Sequence, residues 1–507
     1  MKVNQIKLGS VLSYISIALN VLVALLYTPF LLRMLGQNEY GLYSLVASIV
    51  AYLTVLDLGF GNAIVRYISK YRAENKLEEQ SELLGMSMLI YCAISTVVIA
   101  FGVCFISNIS LFFNSTLTHD DIEKVKVMMS LLVFNLAFTF PMSIWGAVLT
   151  AYEEFVFPKL INIVRIILNP LVMIVLLCYG YKAITMVIVL TTFNILTLCI
   201  NAWYCRKKVH IRFKLGKFRW DMLREILIYS FWIFLSCIMD KIYYSSGQFV
   251  LGMFSGVSAV AVYAIAIQLQ HLYITLSSAI SGMFLPKVTA MYAKGMSDKS
   301  ISDLFIKVGR VQWFIILLIL CGFILFGQNF ILLWAGSDYA DAYWMTLLLF
   351  IPSAIPLIQS LGIVILQARN KMRFRSLSFL FISIICMIAS IPLAKLYGGI
   401  GFAFGTSMSI ILAQGIVINI YYKRKIHLDI YRFFIQIARM SIAPVLLTIA
   451  WWFGLHYVQF IDSIFNLILW IVLFGMTYVI VSYYSSMNNY ERELILSVTK
   501  NIKTIIK

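Results

Sequence analysis

Asp57 lies deep in the apolar stretch 40–72, YGLYSLVASIVAYLTVLDLGFGNAIVRYISKYR. An ionised carboxylate in hydrocarbon is costly, and such a residue normally faces protein or a water-filled cavity. Gly59 and Gly61 follow it, which weakens the helix and permits close packing or a bend. Arg66, Lys70 and Arg72 then close the run as a basic helix end. Asp240 and Lys241 place a second acid and a cation in another apolar stretch. Adjacent residues stand about 100° apart on a helix, so these two do not pair squarely with each other. Their i+4 neighbours, Tyr244 and Ser245, extend a polar surface toward Gln248. Asp57 and Asp240 are the acids that fall within spans, one in each expected half of the chain. A buried acid exchanges a proton when its surroundings change, because desolvation favours its neutral form. Both are therefore candidates for ion coupling.

Neutral polar residues recur at helical spacing in the same kind of sequence. Ser13, Ser16 and Asn20 share a helix face, as do Asn162, Arg165 and Asn169, and Gln268, His271, Thr275 and Ser278. Such stripes suggest a hydrated central cavity. Each also has a plainer structural reading: Arg165 reaches an interface by snorkelling, Ser, Thr and Asn hold helices together, and His271 packs in place. Asp57 with its glycines can serve helix packing alone. No phosphate-cradling glycine loop, zinc-binding HExxH or nucleophile elbow is present. The chemistry is thus that of holding and passing polar cargo, with no enzyme activity and no cofactor indicated.

The elements that must position these residues are membrane helices. The chain has 507 residues, of which 62% are hydrophobic and 12% charged. At about 20 apolar residues per crossing, it contains fourteen spans, near 10–32, 41–66, 84–107, 126–150, 160–180, 184–204, 226–253, 260–285, 309–334, 343–367, 376–395, 401–421, 434–457 and 464–485. Lys2 and Lys7 precede the first run, which is too long for a signal-peptide core and is kept as a span. The net charge of +18 has a topological cause rather than a nucleic-acid partner. Of 40 Lys and Arg, Arg33, Lys124, Lys126, Lys182 and Lys395 fall on one side and Arg165, Lys241 and Arg439 within spans. The other 32 fall in segments on the opposite side, whose basic loops lie at 67–83, 205–225, 286–308, 368–375 and 422–433. That asymmetry marks the cytoplasmic face, with some attraction to anionic membrane lipid. Both termini are expected there. Eight cysteines lie in or beside apolar runs without a CxxC pair and read as small core residues, so neither a disulfide framework nor a metal site follows.

A faint repeat relates FLLRMLGQNEYGLYS at 30–44 to FVLGMFSGVSAVAVYA at 249–264, with one residue inserted between Phe30/Phe249 and Tyr43/Tyr263. Six spans separate the copies, so both halves have the same orientation, a parallel repeat with a site between bundles. The expected division is a lobe over 1–204, a basic interfacial linker over 205–225, a second lobe over 226–421, and two further spans with a tail over 422–507.

The segments RMLGQNEYGLYSL, LDLGFGNAIVRYISKY, DKIYYSSGQFVLGMFSGVSAVAVYAIA and PKVTAMYAKG resemble Wzx-type flippases of polysaccharide biosynthesis. These belong to the multidrug/oligosaccharidyl-lipid/polysaccharide exporter superfamily. The resemblance implies an all-α polytopic fold of two six-helix lobes around a central cavity, with two C-terminal helices. It implies a bacterial inner-membrane protein that moves polyprenyl-pyrophosphate-linked oligosaccharide units by alternating access. Polysaccharide polymerase and chain-length machinery are its implied partners. On this reading Arg66, Arg165 and Lys241 face the pyrophosphate, and Asn20, Asn162, Asn169, Tyr244, Gln268 and His271 face the sugar. The superfamily alternatives are a peptidoglycan-precursor flippase and a cation-coupled multidrug exporter, and the last two spans count against the latter.

Overall fold

The computed structural model describes residues 5–209, 213–214, 220–281, 284, 288, 290–291, 296–369, 371–456 and 463–493. It is all-helical over those residues. Among the described residues, ten helices are long and apolar enough to cross a membrane, or eleven when a bent pair is counted as one span. The protein is therefore a multi-pass membrane protein. Two of those ten, Leu8–Ala73 (66 residues) and Met372–Ile426 (55 residues), each hold two of the expected crossings. Gly36 (φ 74°) and Gly398 (φ 57°) join the two halves of each with a single non-helical residue, a conformation glycine adopts without a Cβ clash. The seventh expected span, 226–253, is divided between two helices that break at Ser245.

Two compact units are defined by their internal packing: Met1–Ala264 with Ala394–Gly399, and Ile265–Leu393 with Ile400–Lys507. In the first, α1 (Gln5–Leu53), α2 (Phe60–Ala73), α3 (Leu77–Ser107), the short α4 (Ile109–Phe113), α5 (His119–Ala151), α6 (Val156–Cys178) and α7 (Ala183–Val209) are followed by α8 (Trp220–Tyr244) and α9 (Ser246–Phe254). Lipid gives helices no hydrophobic reason to associate, so small residues and polar groups set their contacts. At Gly41 a Cβ would stand 2.4 Å from the Val257 carbonyl oxygen, and at Gly102 it would stand 2.6 Å from the Val133 side chain. Ser95 on α3 donates to the Ala137 carbonyl of α5 at 2.7 Å. Glu39, in the turn between the first two spans, accepts from Lys124 Nζ at 2.6 Å and from the Ala183 N–H at 3.3 Å, tying α5 and α7 to that turn.

Of the basic linker, 210–212 and 215–219 lie outside the described residues. Within it, Phe213 packs edge-on against Trp145 with centroids 4.9 Å apart, and Lys214 pairs with Glu78 at 3.2 Å.

α10 (Val257–Ser281) leads into the second unit. There α11 (Asp298–Trp334) is the central helix, with α12 (Ala342–Ile358), α13 (Ser360–Ala368), α14 (Met372–Ile410), α15 (Ile430–His456) and α16 (Ile464–Ser485). Leu317, Cys321 and Phe326 of α11 form one apolar cluster with Leu467, Phe474 and Tyr478 of α16. α12 and α13 are bent by 41° at Gln359, the residue directly after the close of a helix that contains Pro352 and Pro356. Proline removes a ladder hydrogen bond and weakens the helix there. After α14 the chain passes through two π-helical turns, Ile411–Val417 and Tyr422–Ile426.

Candidate functional site

The first unit contains a helix interrupted where the sequence placed its acid. Thr54–Asp57 is a 3-10 turn, and Leu58 (φ 53°) and Gly59 (φ 70°) are both left-handed before α2 begins at Phe60. A leucine in that region is strained, so the surroundings must hold it. The Asp57 carboxylate does so: it accepts from the Tyr91 hydroxyl at 2.8 Å and from the N–H groups of Gly59 and Gly61. Those N–H groups belong to the start of α2, which has no carbonyl to offer them. α8 packs beside this turn and beside α2. Near its end, Cys237 lies within electrostatic reach of Asp57, Asp240 and Lys241 together. Both acids thus belong to the first unit. Just past the break in the seventh span, Ser246 meets Tyr52 with the two hydroxyl oxygens 2.5 Å apart. Two discontinuous helices are joined here, the kind of backbone that lines sites in transporters.

A second cluster forms around Arg165 on α6. Its Nη2 donates to Asn162 Oδ1 at 3.1 Å and its Nη1 to Asn194 Oδ1 at 3.4 Å. Asn194, on α7, in turn donates its amide nitrogen to Asn135 Oδ1 at 2.7 Å and Thr139 Oγ1 at 2.8 Å on α5. Because that nitrogen has two oxygen acceptors, its carbonyl must face Arg165. The guanidinium is half-buried and is in none of the ion pairs among the described residues. A cation held in a span by neutral dipoles alone keeps its attraction for an anion.

The remaining sequence candidates are dispersed. Asn20 is exposed on α1 and bonds its own helix, donating to the Ser16 carbonyl at 2.9 Å; Ser13 and Ser16 do likewise. Asn169 is half-buried one turn beyond Arg165 and takes no part in the Asn194 network. Arg66 is exposed on α2 with its guanidinium 5.9 Å from the Tyr67 ring. Lys241 and Tyr244 are half-buried at the end of α8, beside exposed Asp240. Gln268 and His271 belong to the second unit, half-buried and exposed respectively on α10.

Sequence reasoning missed Asn135, Thr139 and Asn194. Asn135 and Thr139 are an i, i+4 pair, a signal that could have found them. It also missed a buried amide ladder in the second unit. There Gln270 donates to Ser353 at 2.9 Å, and Gln312 donates to Ser360 at 2.7 Å and to the Ser277 carbonyl at 3.2 Å. Gln359 donates to Asn419 at 2.8 Å. Among the described residues no group of three or more His, Cys, Asp or Glu is arranged to hold a metal ion.

This architecture is that of the helical flippase and exporter folds. The chain superposes on a solved lipid II flippase, MurJ, in an inward closed conformation with a TM-score of 0.73, covering 96% of this chain and 99% of that one at 17% identity. An inward-facing multidrug resistance MATE family transporter of the MOP superfamily matches with a TM-score of 0.59, over 81% of this chain and 96% of that one, at 14% identity. At these identities the likeness establishes the fold. In sequence, residues 8–292 match the family of polysaccharide biosynthesis proteins, and the chain belongs to that family. It is 21% identical over 281 residues to the uncharacterized membrane protein EpsK of Bacillus subtilis, covering 55% of each chain. It is 20% identical over 267 residues to a putative O-antigen transporter of Shigella flexneri, covering 50% of this chain and 60% of that one. The matched stretch thus spans little more than half the length of these curated relatives.

Proposed function

We propose that the protein is a flippase that carries oligosaccharide units on a polyprenyl pyrophosphate from the cytoplasmic to the outer leaflet of a bacterial inner membrane, by alternating access. The observation that carries this reading is Arg165: a guanidinium within a span, bonded to amide oxygens and in no ion pair among the described residues. A pyrophosphate entering a low-dielectric region needs such a partner, and a guanidinium supplies paired donors to its oxygens. The membership of a polysaccharide biosynthesis family and the likeness to an O-antigen transporter point to the same cargo. Lys241 adds a second cation, and Asn162, Asn194 and Tyr244 offer amide and hydroxyl partners of the kind sugars use.

The two acids take different parts in this proposal. Asp57, already holding three donors, keeps the break in the second span in shape. Asp240 is exposed on its span and is the group that exchanges a proton or cation. The protein acts as a transporter and not as an enzyme, both termini face the cytoplasm, and a polymerase with its chain-length machinery takes the cargo on. A peptidoglycan precursor shares the pyrophosphate and is separated by the experiment itself. Deleting the gene should cause a lipid-linked sugar to accumulate on the inner leaflet, whose sugars identify the cargo. Wild-type protein should clear it and Arg165→Ala should not. Accumulation of no lipid-linked sugar would reject the reading.

A further inference from the structure

The second unit has a small, partly open recess of its own where the tenth span is broken. Pro356 and Gln359 form one wall, Arg375 and Phe379 of α14 another, and Gln414 and Tyr422 of the π-helical stretch a third. Gln359 is only 3% exposed, and its amide nitrogen donates to Asn419 Oδ1 at 2.8 Å. The Asn419 nitrogen donates to the carbonyls of Gln414 at 3.2 Å and Gly415 at 2.8 Å, which fixes the orientation of both amides. Gln359 Oε1 is then a buried acceptor with no donor from the protein, a state that proteins rarely leave unanswered.

Arg375 supplies the charge. Its guanidinium lies 4.8 Å from the centre of the Phe379 ring, and it lines the recess together with Tyr422. It is in none of the ion pairs among the described residues. A Cβ at position 362 would come within 2.4 Å of the Tyr422 hydroxyl oxygen, so Gly362 is what admits that side chain. Exposed Lys423, Arg424 and Lys425 follow directly, so this end of the unit attracts an anionic membrane surface.

We propose that this recess binds the phosphodiester headgroup of an anionic phospholipid. The phosphate meets Arg375 and the Tyr422 hydroxyl, a headgroup hydroxyl donates to Gln359 Oε1, and Pro356 and Phe379 take the apolar glycerol side. Phosphatidylglycerol has all three features, whereas phosphatidylcholine has neither net charge nor a hydroxyl donor. The inference stands apart from the transport reading, since none of these residues belongs to the candidate site.

The test is thermal unfolding of the purified full-length protein in detergent, with phosphatidylglycerol, phosphatidylcholine or inorganic phosphate added. Phosphatidylglycerol should raise the melting temperature, and Arg375→Gln should lose most of that rise. Gln359→Met keeps the charge and should lose part of it, while Arg424→Gln, on the exposed basic stretch, should keep it. Equal stabilisation by phosphatidylcholine, or an undiminished rise in both Arg375→Gln and Gln359→Met, would overturn the proposal. A rise reproduced by inorganic phosphate would assign the recess to free phosphate and overturn the lipid.

Discussion

Arg165 in the first unit and Arg310 in the second are the same side chain in opposite circumstances. Arg310 is closed on both sides by Glu491, with contacts of 2.6 and 2.9 Å, and also donates to the Ser486 carbonyl at 3.1 Å. Its side chain and that of Glu491 are 8% and 5% exposed. Among the described residues, Arg165 donates to the oxygens of Asn162 and Asn194 and joins no ion pair. A buried charge with a bidentate partner has its field cancelled and serves to fix two elements, here α11 and the segment after α16. One solvated by dipoles alone is held in place yet still attracts an anion. On the proposed reading the difference separates a structural cation from a binding one, and it is set by what the neighbouring helices present, not by the arginine.

Breaking the paired cation should have the largest effect on stability. Removing one partner of a buried pair leaves an uncompensated charge and costs about 3–5 kcal/mol. Glu491→Ala should therefore lower the melting temperature in detergent sharply, and the double variant Arg310→Met with Glu491→Met should recover most of the loss. A melting temperature unchanged in Glu491→Ala would remove the structural half of the contrast.

Asn194→Ala comes next, because it takes an acceptor from Arg165 and the donor that serves Asn135 and Thr139. The expected cost is about 1–3 kcal/mol, accompanied by reduced polysaccharide export. Export at the wild-type level would show that the amide does not position Arg165.

Lys241 sharpens the contrast at smaller amplitude. Lys241→Ala should reduce export at near-normal abundance in the membrane, and Lys241→Arg should retain more activity because the charge remains. Equal export by both would make the residue structural.

The smallest effect is expected in the neutral ladder of the second unit. Interhelical hydrogen bonds within membranes average about 0.6 kcal/mol, so Gln312→Met should shift the melting temperature little and leave export intact. A collapse in either would mean that the ladder does more than align α10, α11 and α13.

Much of this was legible in the sequence. Long apolar runs and the one-sided distribution of Lys and Arg indicate a polytopic helical protein, and the motif segments point to its superfamily. Fewer separate helices than crossings are seen because Gly36 and Gly398 join spans through one residue, which hydropathy does not register. Within the candidate site, Arg165 and Asn162 stand out because they sit three apart in an apolar run. Asn194 and Asn135 were hidden because contacts between α5, α6 and α7 are tertiary, and a single amide in a span looks like ordinary helix glue. Asp57 is a similar case: its position marks a special residue, but only the backbone shows that it holds the N–H groups of Gly59 and Gly61.

The most direct test of the central claim is the rate at which a polyprenyl-pyrophosphate-linked oligosaccharide crosses proteoliposome membranes containing the wild-type protein, Arg165→Lys or Arg165→Gln. The melting temperatures of the three proteins are measured alongside. The account predicts near-equal melting temperatures, flipping largely lost in Arg165→Gln, and substantial flipping kept in Arg165→Lys. Wild-type flipping by Arg165→Gln would contradict it.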